Sequence, residues 1–499
     1  MRHLLAVGLS TLLVAASASA ADPQLNVLWI SADDLAAYPL GCYGNELART
    51  PNIDALAKSG MRFDRAYCNS PVCTASRQSF LTGRYPRTLG VTQLKTALPD
   101  GTPTLATMLK AAGYDTAAIG KMHFNSNLKH GFDVRLDGPD HLKDLATRKT
   151  IALPEGVKVQ PKWQPFKDHA RTWLNSTALP FGAADADMPG TYYAKKAGEY
   201  ISKERDKPFF LMVSFYEPHS PFHFPVEYRG KFDPTTFTVP KFGPEDDWHI
   251  PAIFRDLTAA EKQGITAAYF TSMEYLDRNV GRLLDALKKL GRDKDTIVVL
   301  SGDHGYMLGH HGRFEKHCCY EPAIRAPLLV RLLGVTRPST SSTALVEFID
   351  IVPTILDGCG ATIPESVQGR SLMNVLKDGA SNHRDAVFVE YSENEEAMVR
   401  TERWKLIYTT GKRKREDGYE TGKPLPGRVI QLFDVKTDPD ETTNVAAKPD
   451  YKVVVDDLIT KLVTHLSKTA REAQLIPKTD DPHTKLEHLL QTRDVQPKK

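Results

Sequence analysis

The sequence predicts an α/β fold: a large, mostly parallel or mixed sheet sandwiched by helices, then a smaller C-terminal antiparallel sheet with one helix. Three observations carry this. Short apolar runs such as Asn26–Ser31 and Thr296–Ser301 alternate with stretches of helical periodicity. The runs are apolar throughout rather than alternating, as strands buried on both faces are. After about residue 380 four short strand-like segments follow one another and end in one amphipathic helix.

The elements can be justified in order. Residues 1–20 read as a signal peptide, with Arg2 and His3 ahead of an apolar stretch, Leu4 to Ala16, and a small-residue cleavage site at Ala18-Ser19-Ala20. The apolar stretch is too short to span a bilayer comfortably, so the mature chain is expected to be exported, periplasmic or secreted, and not membrane-spanning. A catalytic domain is expected over 21–380. It opens with the strand Asn26–Ser31 and a helix over Pro51–Ser59 carrying Ile53, Leu56 and Ala57. Asp115–Ile119, Pro208–Phe215 and Thr296–Ser301 are further strands. Gly264–Leu290 reads as a long amphipathic helix with Tyr269, Met273, Leu276, Val280, Leu283, Leu284 and Leu287 on one side. A C-terminal subdomain is expected over 381–499, with strands Val387–Glu390, Ala397–Arg400, Lys405–Thr409 and Val429–Phe433 and a helix Tyr451–Ser467. Gly411–Pro426 reads as an exposed loop, and the tail beyond Lys478 as polar and loose.

Bulk properties exclude some classes. With 499 residues, 41% hydrophobic and 25% charged, the chain is an ordinary globular protein with room for a large core. A formal net charge of +3 is too small for a nucleic-acid binder. Six cysteines are present, at 42, 68, 73, 318, 319 and 359. If Cys73 is consumed by modification, the remaining five cannot all pair within the chain.

Four strand candidates run straight into polar residues. Asn26–Ser31 leads to Asp33-Asp34, the Asp115 strand to Lys121 and His123, Pro208–Phe215 to Glu217 and His219, and Thr296–Ser301 to Asp303-His304. Ligands of open α/β sheets bind beyond the carboxyl ends of strands. Any one cluster could be a helix N-cap or a packed histidine; four together point to one site. Asp33, Asp34, Asp303 and His304 suit a divalent cation that favours oxygen ligands. The sharpest motif is Cys73-Thr74-Ala75-Ser76-Arg77, continuing to Leu81-Thr82-Gly83-Arg84. A helix beginning near Cys73 puts its sulfur at the positive helix end and Arg77 one turn on, on the same face. A buried structural cysteine is the common alternative.

These motifs resemble the type I sulfatase family, whose signature is C-x-[PA]-x-R followed by L-T-G-R. Gly120-Lys121-Met122-His123, Glu217-Pro218-His219, Asp303-His304-Gly305 with Leu308-Gly309, Lys316, and Gln431–Val435 with Asp438-Pro439 match further family segments in order. Gly302 stands between the Ser and the Asp that the family places side by side. The resemblance implies an alkaline-phosphatase-like fold and sulfate ester hydrolysis. It implies oxidation of Cys73 to formylglycine (3-oxoalanine) by a maturation enzyme. It implies one Ca²⁺ held by Asp33, Asp34, Asp303, His304 and residue 73. It implies that the formylglycine hydrate is the nucleophile, through a covalent sulfo-enzyme intermediate. Arg77, Lys121 and Lys316 then supply positive charge, His219 or Lys316 protonates the leaving alkoxide, and His123 takes the proton that lets sulfate leave. Ala75 stands where many members have Pro, and maturation enzymes differ in which form they accept.

The motif pattern is most like iduronate-2-sulfatase-like and choline-sulfatase-like members, which implies a sulfated sugar of a glycosaminoglycan or algal polysaccharide. His310, His311 and Arg313 are candidate substrate contacts beside Lys316 and His317. A zinc site in this His/Cys stretch fits no standard spacing. The rivals are a phosphomonoester or phosphodiester hydrolase of the same superfamily, and a sulfated-glycan-binding protein without catalysis.

Overall fold

The structure is a computed structural model that describes residues 25–157, 182–415 and 418–495. The expected signal peptide lies outside the described residues. Eight strands form the main sheet in the order β5 (Val134–Leu136), β4 (Asp115–Gly120), β6 (Phe209–Pro218), β1 (Asn26–Asp33), β7 (Thr296–Gly302), β8 (Leu328–Arg331), β2 (Met61–Phe63) and β9 (Thr340–Ser342). The five strands from β5 to β7 are parallel, and β8 runs antiparallel to both neighbours. The sheet is therefore mixed, with an alkaline-phosphatase-like architecture.

Alternation along β1 explains the layering. Val27 and Trp29 enter the core beneath the helices Cys73–Thr82, Leu105–Ala111 and Ile351–Gly358. Leu28 and Ile30 enter the opposite core, beneath Pro51–Ser59, Pro189–Ile201 and Ala259–Lys289. Successive strand residues face opposite sides, and both sides are apolar and covered. The long helix begins at Ala259, one turn before its expected start. Thr258 accepts from the Glu261 amide and Glu261 returns the bond, a capping box present in the sequence as Thr-x-x-Glu.

Ala66–Tyr67 (β3) and Val346–Glu347 (β10) form a small parallel pair. The C-terminal strands β11 (Val387–Tyr391), β12 (Glu396–Arg400), β13 (Trp404–Thr409) and β14 (Val429–Asp434) form an antiparallel sheet in sequence order. One face of it, including Val399, Leu406 and Leu432, packs on the helix Lys452–Thr469. The other face, including Val389, Met398 and Ile407, joins the core of the main sheet.

The tail differs from expectation. Pro482–Leu489 is a helix capped by Asp481, and Leu486, Leu489 and Leu490 are buried against the second sheet. Three leucines at helical spacing outweigh the polar composition around them. The 411–426 loop is also less exposed than expected at Arg415, which is buried.

Candidate active site

The adjacent parallel strands β4, β6, β1 and β7 deliver their C-terminal ends to one place. Gly120 closes β4 at φ 93°, and a Cβ there would lie 2.0 Å from the Ser214 carbonyl. Only glycine lets β4 and β6 stay paired while the chain turns to aim Lys121 and His123. Gly302 has an analogous role on β7: a Cβ would meet the Leu35 carbonyl at 2.5 Å. Asp34 sits at φ 62°, a left-handed conformation held by its amide bond to Asp303 Oδ1 (3.1 Å) and by Tyr269, which donates to its carbonyl (2.7 Å).

Cys73 is the first residue of the buried helix Cys73–Thr82. Its sulfur lies 3.4 Å from Asp33 Oδ1 and 3.2 Å from His304 Nε2, and it is hydrogen-bonded to His123. Arg77, one turn on and 2% exposed, reaches Asp303 Oδ2 at 3.0 Å and Asp33 Oδ2 at 3.4 Å. It also donates to Ser214 Oγ at 2.6 Å and the Lys121 carbonyl at 3.1 Å. Lys121 pairs with Asp33 and Lys316 with Asp34 Oδ1 (2.6 Å), while His219 Nε2 lies 3.9 Å from Asp34 Oδ2.

The electrostatics follow from this crowding. Burial alone would raise the Cys73 thiol, but Lys316, Lys121 and His304 hold it well below its ordinary value. Burial opposes charge on Lys121 and Lys316 too, yet Asp33 and Asp34 keep both ammonium groups firmly protonated. Burial lowers His123, so its ring is neutral and able to accept a proton. Burial pushes Asp303 up to about 7, against the pull of Arg77.

The donor set fits a divalent cation. Asp33, Cys73, Asp303 and His304 offer ligand atoms within 4.8 Å of one another, as do Asp33, Asp34, Cys73 and His219. The Oδ2 atoms of Asp33, Asp34 and Asp303 are buried: Lys121 and Arg77 face the first, Arg77 the third, and His219 stands 3.9 Å from the second. Three carboxylates crowded within a few ångströms are costly to bury together, and a divalent cation among their oxygens would offset that cost.

Above this cluster opens a cavity of 840 Å³ whose wall includes Asp34, Cys73, Lys121, His123, His219 and Lys316. Tyr216, Tyr306, Tyr419, Asn125, Arg135 and His317 complete much of the rim. Of these, Tyr306 lies within the segment Ser301–Gly309 and His317 within Leu308–Glu321, both singled out by sequence, and Tyr419 within the loop expected over 411–426; Tyr216, Asn125 and Arg135 gave no signal. Tyr419 comes from the loop between β13 and β14, a long-range contact that local pattern cannot signal.

The three candidate substrate contacts lie elsewhere. His311 is buried, bonds Asp246 at 2.8 Å and stacks on Tyr320. Arg313 is 3% exposed and paired with Glu315. His310 sets its ring edge against Tyr38. None is on the cavity wall among the described residues. Asp246, His249 and His311 form a metal-like triplet, but Arg313 donates to His249 Nδ1 at 2.9 Å. His249 Nε2 must then carry the ring proton, which it donates to Asp246 at 3.2 Å. The triplet is a closed hydrogen-bond network.

Fold and site together define an alkaline-phosphatase-like hydrolase with a cysteine-headed helix beneath a carboxylate cluster. The sulfatase family matches residues 25–361, and the N-sulphoglucosamine sulphohydrolase C-terminal family matches residues 309–468. An arylsulfatase of Clostridium perfringens is 29% identical over 478 residues, covering 88% of this chain and 94% of its own. Mouse (Mus musculus) iduronate 2-sulfatase is 30% identical over 411 residues, covering 70% and 71%. In structure, a phosphonate monoester hydrolase from Silicibacter pomeroyi superposes with a TM-score of 0.74 at 23% identity, over 92% of this chain and 98% of that one, which is a likeness of fold. The chain belongs to the sulfatase family and is a sulfuric ester hydrolase.

Proposed function

We propose that this chain is an exported sulfatase acting on sulfated sugars, with formylglycine made from Cys73 as its nucleophile and Ca²⁺ as its metal. The observation that carries this is the setting of the Cys73 sulfur. It stands on the cavity floor, bonded to Asp33, His304 and His123, with Arg77, Lys121 and Lys316 around it. Asp33, Asp34, Asp303, His304 and residue 73 would hold the cation, which when bound polarises the sulfate ester and stabilises a deprotonated oxygen. Hydrated formylglycine supplies a hydroxyl for attack on sulfur and a second hydroxyl whose deprotonation restores the aldehyde.

The remaining roles belong to this chain's own side chains. Arg77 is pinned by four partners and fixes residue 73 on its helix. Lys121 and Lys316, both near enough to residue 73 to hold its charge, bind the sulfate oxygens and favour the charge that develops there. His219 and Lys316 both lie by Asp34, within reach of a leaving alkoxide, and one of them donates its proton. His123, neutral and bonded to residue 73, takes the proton from the second hydroxyl. The sugar reading draws on the iduronate 2-sulfatase relative and on three tyrosines that can face a pyranose. Export rests on the leader at residues 1–20.

The test is mass spectrometry of the tryptic peptide Ala66–Arg77, from protein produced with a maturation enzyme that accepts the Ala75 form. The expected peptide carries an aldehyde at residue 73, and the protein turns over 4-nitrophenyl sulfate faster than 4-nitrophenyl phosphate. Faster phosphate turnover would transfer the reading to a phosphoester or phosphonate hydrolase of the same fold. Tight glycan binding by the matured protein with no release of sulfate would support a non-catalytic binder instead.

A further inference from the structure

Cys73 is a free cysteine in this structure, so the geometry around it belongs to the chain before modification. Its sulfur joins a group of mixed softness: an imidazole nitrogen from His304 and carboxylate oxygens from Asp33 and Asp303. All four ligand atoms lie within 4.8 Å of one another, and all four residues are buried.

The spacing suits a small tetrahedral ion. Cys73 Sγ lies 3.2 Å from His304 Nε2 and 3.4 Å from Asp33 Oδ1, and His304 Nε2 lies 3.4 Å from Asp303 Oδ2. A zinc-class ion, about 2.3 Å from sulfur and about 2.0–2.2 Å from nitrogen and oxygen, sets ligand-to-ligand edges of about 3.3–3.7 Å. These three edges would open by at most about 0.4 Å to accept one. Calcium takes roughly six to eight oxygen ligands and gains little from sulfur.

The surroundings orient the four atoms. His304 Nδ1 donates to the Gly305 carbonyl at 3.1 Å, which turns Nε2 toward the sulfur. Burial opposes charge on His304, but Asp303 and the Cys73 sulfur raise it to about 9, so without an ion a proton stands between Nε2 and the sulfur. An ion that takes both lone pairs releases that proton. Arg77 faces Asp303 Oδ2 at 3.0 Å and Asp33 Oδ2 at 3.4 Å and so steadies both carboxylates. Lys121 also pairs with Asp33 Oδ2, which leaves Asp33 Oδ1 to the sulfur side. The reactive cavity reaches Cys73 and gives an ion its way in.

We propose that the unmodified chain binds a thiophilic divalent cation of the zinc class through Asp33, Cys73, Asp303 and His304, in preference to calcium. The inference concerns the site of the proposed function, and rests on that reading only in taking Ca²⁺ as the ion of the matured form. Coordination deprotonates the thiol outright. Binding to the folded state alone would also stabilise it. In that state Cys73 is 2% exposed and every residue of its helix is buried, which keeps the thiol from a maturation enzyme.

The test uses full-length protein made without a maturation enzyme, its intact Cys73 verified by the mass of the tryptic peptide Ala66–Arg77. The protein is stripped with a chelator and titrated with Co²⁺, read by absorption. A thiolate-to-cobalt charge-transfer band and the strong visible bands of tetrahedral cobalt are expected at one equivalent. One equivalent of Zn²⁺ should abolish both, and about 100-fold excess Ca²⁺ should leave them. Cys73→Ser keeps the other five cysteines. It should lack the charge-transfer band and bind Zn²⁺ at least about tenfold more weakly, and His304→Ala should weaken Zn²⁺ by a similar factor. Matured protein, with an aldehyde in place of the thiol, should also lack the band. No band in the cysteine form overturns the proposal, as does a band that persists in Cys73→Ser or yields to Ca²⁺. Unchanged Zn²⁺ affinity in both variants overturns it too. No arm reads sulfate release, so a matured protein that fails on 4-nitrophenyl sulfate counts against the proposed function alone.

Discussion

Asp494, five residues from the C-terminus, is predicted to hold one wall of the reactive cavity in place. Its carboxylate accepts from the Thr92 amide (3.0 Å to each oxygen), from Thr92 Oγ1 (2.5 Å), from the Gln93 amide (3.0 Å) and from the Thr96 hydroxyl. The segment it grips reaches the site directly. The Leu94 carbonyl accepts from Thr74, next to Cys73, at 2.6 Å, and from Asn125 at 2.8 Å, and Leu94 is on the cavity wall. The Thr96 carbonyl accepts from Gln78 and Asn125. Bonds to a charged acceptor contribute about 1.5–3 kcal/mol each when buried, and the partial exposure of Asp494 cuts the sum to about 2–4 kcal/mol. Asp494→Ala should therefore free the tail and loosen residues 92–96 without unfolding the sheet. Steady-state kinetics with 4-nitrophenyl sulfate should show KM raised about threefold to tenfold and kcat changed less, the pattern of lost ground-state positioning. Asp494→Asn, which keeps one acceptor oxygen, should recover part of the loss. An Asp494→Ala enzyme with wild-type KM and wild-type resistance of the tail to limited proteolysis would refute the reasoning.

Other predictions follow from the same geometry. Gly120→Ala would force a Cβ to within 2.0 Å of the Ser214 carbonyl. It should cost about 3 kcal/mol or more in denaturant unfolding and abolish turnover; a variant as stable as wild type would show that β4 can shift. Burial acts to raise the Asp350 carboxyl, but Arg384 and His383 outweigh it and hold it below the ordinary range. A depressed folded value means that its stabilisation is complete above the unfolded value of about 4 and fades as pH falls below it. Asp350→Asn should then cost about 3–5 kcal/mol at neutral pH, with the gap to wild type narrowing toward about pH 3 in urea midpoints. Treatment with a chelator should lower the melting temperature by several degrees, with calcium restoring it; an unchanged melt would argue that no ion is held by Asp33, Asp34 and Asp303.

What could be read from sequence was set by local signals. Asp33-Asp34, Lys121 with His123, His219 and Asp303-His304 each follow an apolar run directly, so strand and site residue were visible together. The helix at Cys73 was visible because Pro71 and the polar residues after it mark a helix start, which places Arg77 one turn on. The errors have two physical sources. At the tail, Leu486, Leu489 and Leu490 were present at helical spacing but diluted by charged neighbours, and only the apolar cluster they join with the C-terminal sheet and the helix Lys452–Thr469 explains why they are buried. His311 and Arg313 looked like substrate contacts because they are cationic loop residues beside Lys316. Their partners, Asp246 and His249, lie more than sixty positions away in sequence. Burial satisfied over such a distance leaves no local trace.

Charge accounting links the carboxylates to the anionic substrate. Asp33, Asp34 and Asp303 face Arg77, Lys121 and Lys316, all buried and within ion-pair reach, with Cys73 and His304 packed among them. Alone, the cations are engaged by these carboxylates and give an incoming sulfate ester little reason to leave water. A divalent cation among the three carboxylates would add two positive charges facing the cavity, in a low-dielectric setting where they act strongly. The same carboxylates that would hold the ion also keep Lys121 and Lys316 charged and pointed at residue 73. Removing one of them would therefore weaken metal binding and misplace a cation at once. Substitutions at Asp33 and Lys121 should then be non-additive, because each removes the partner that gives the other its function.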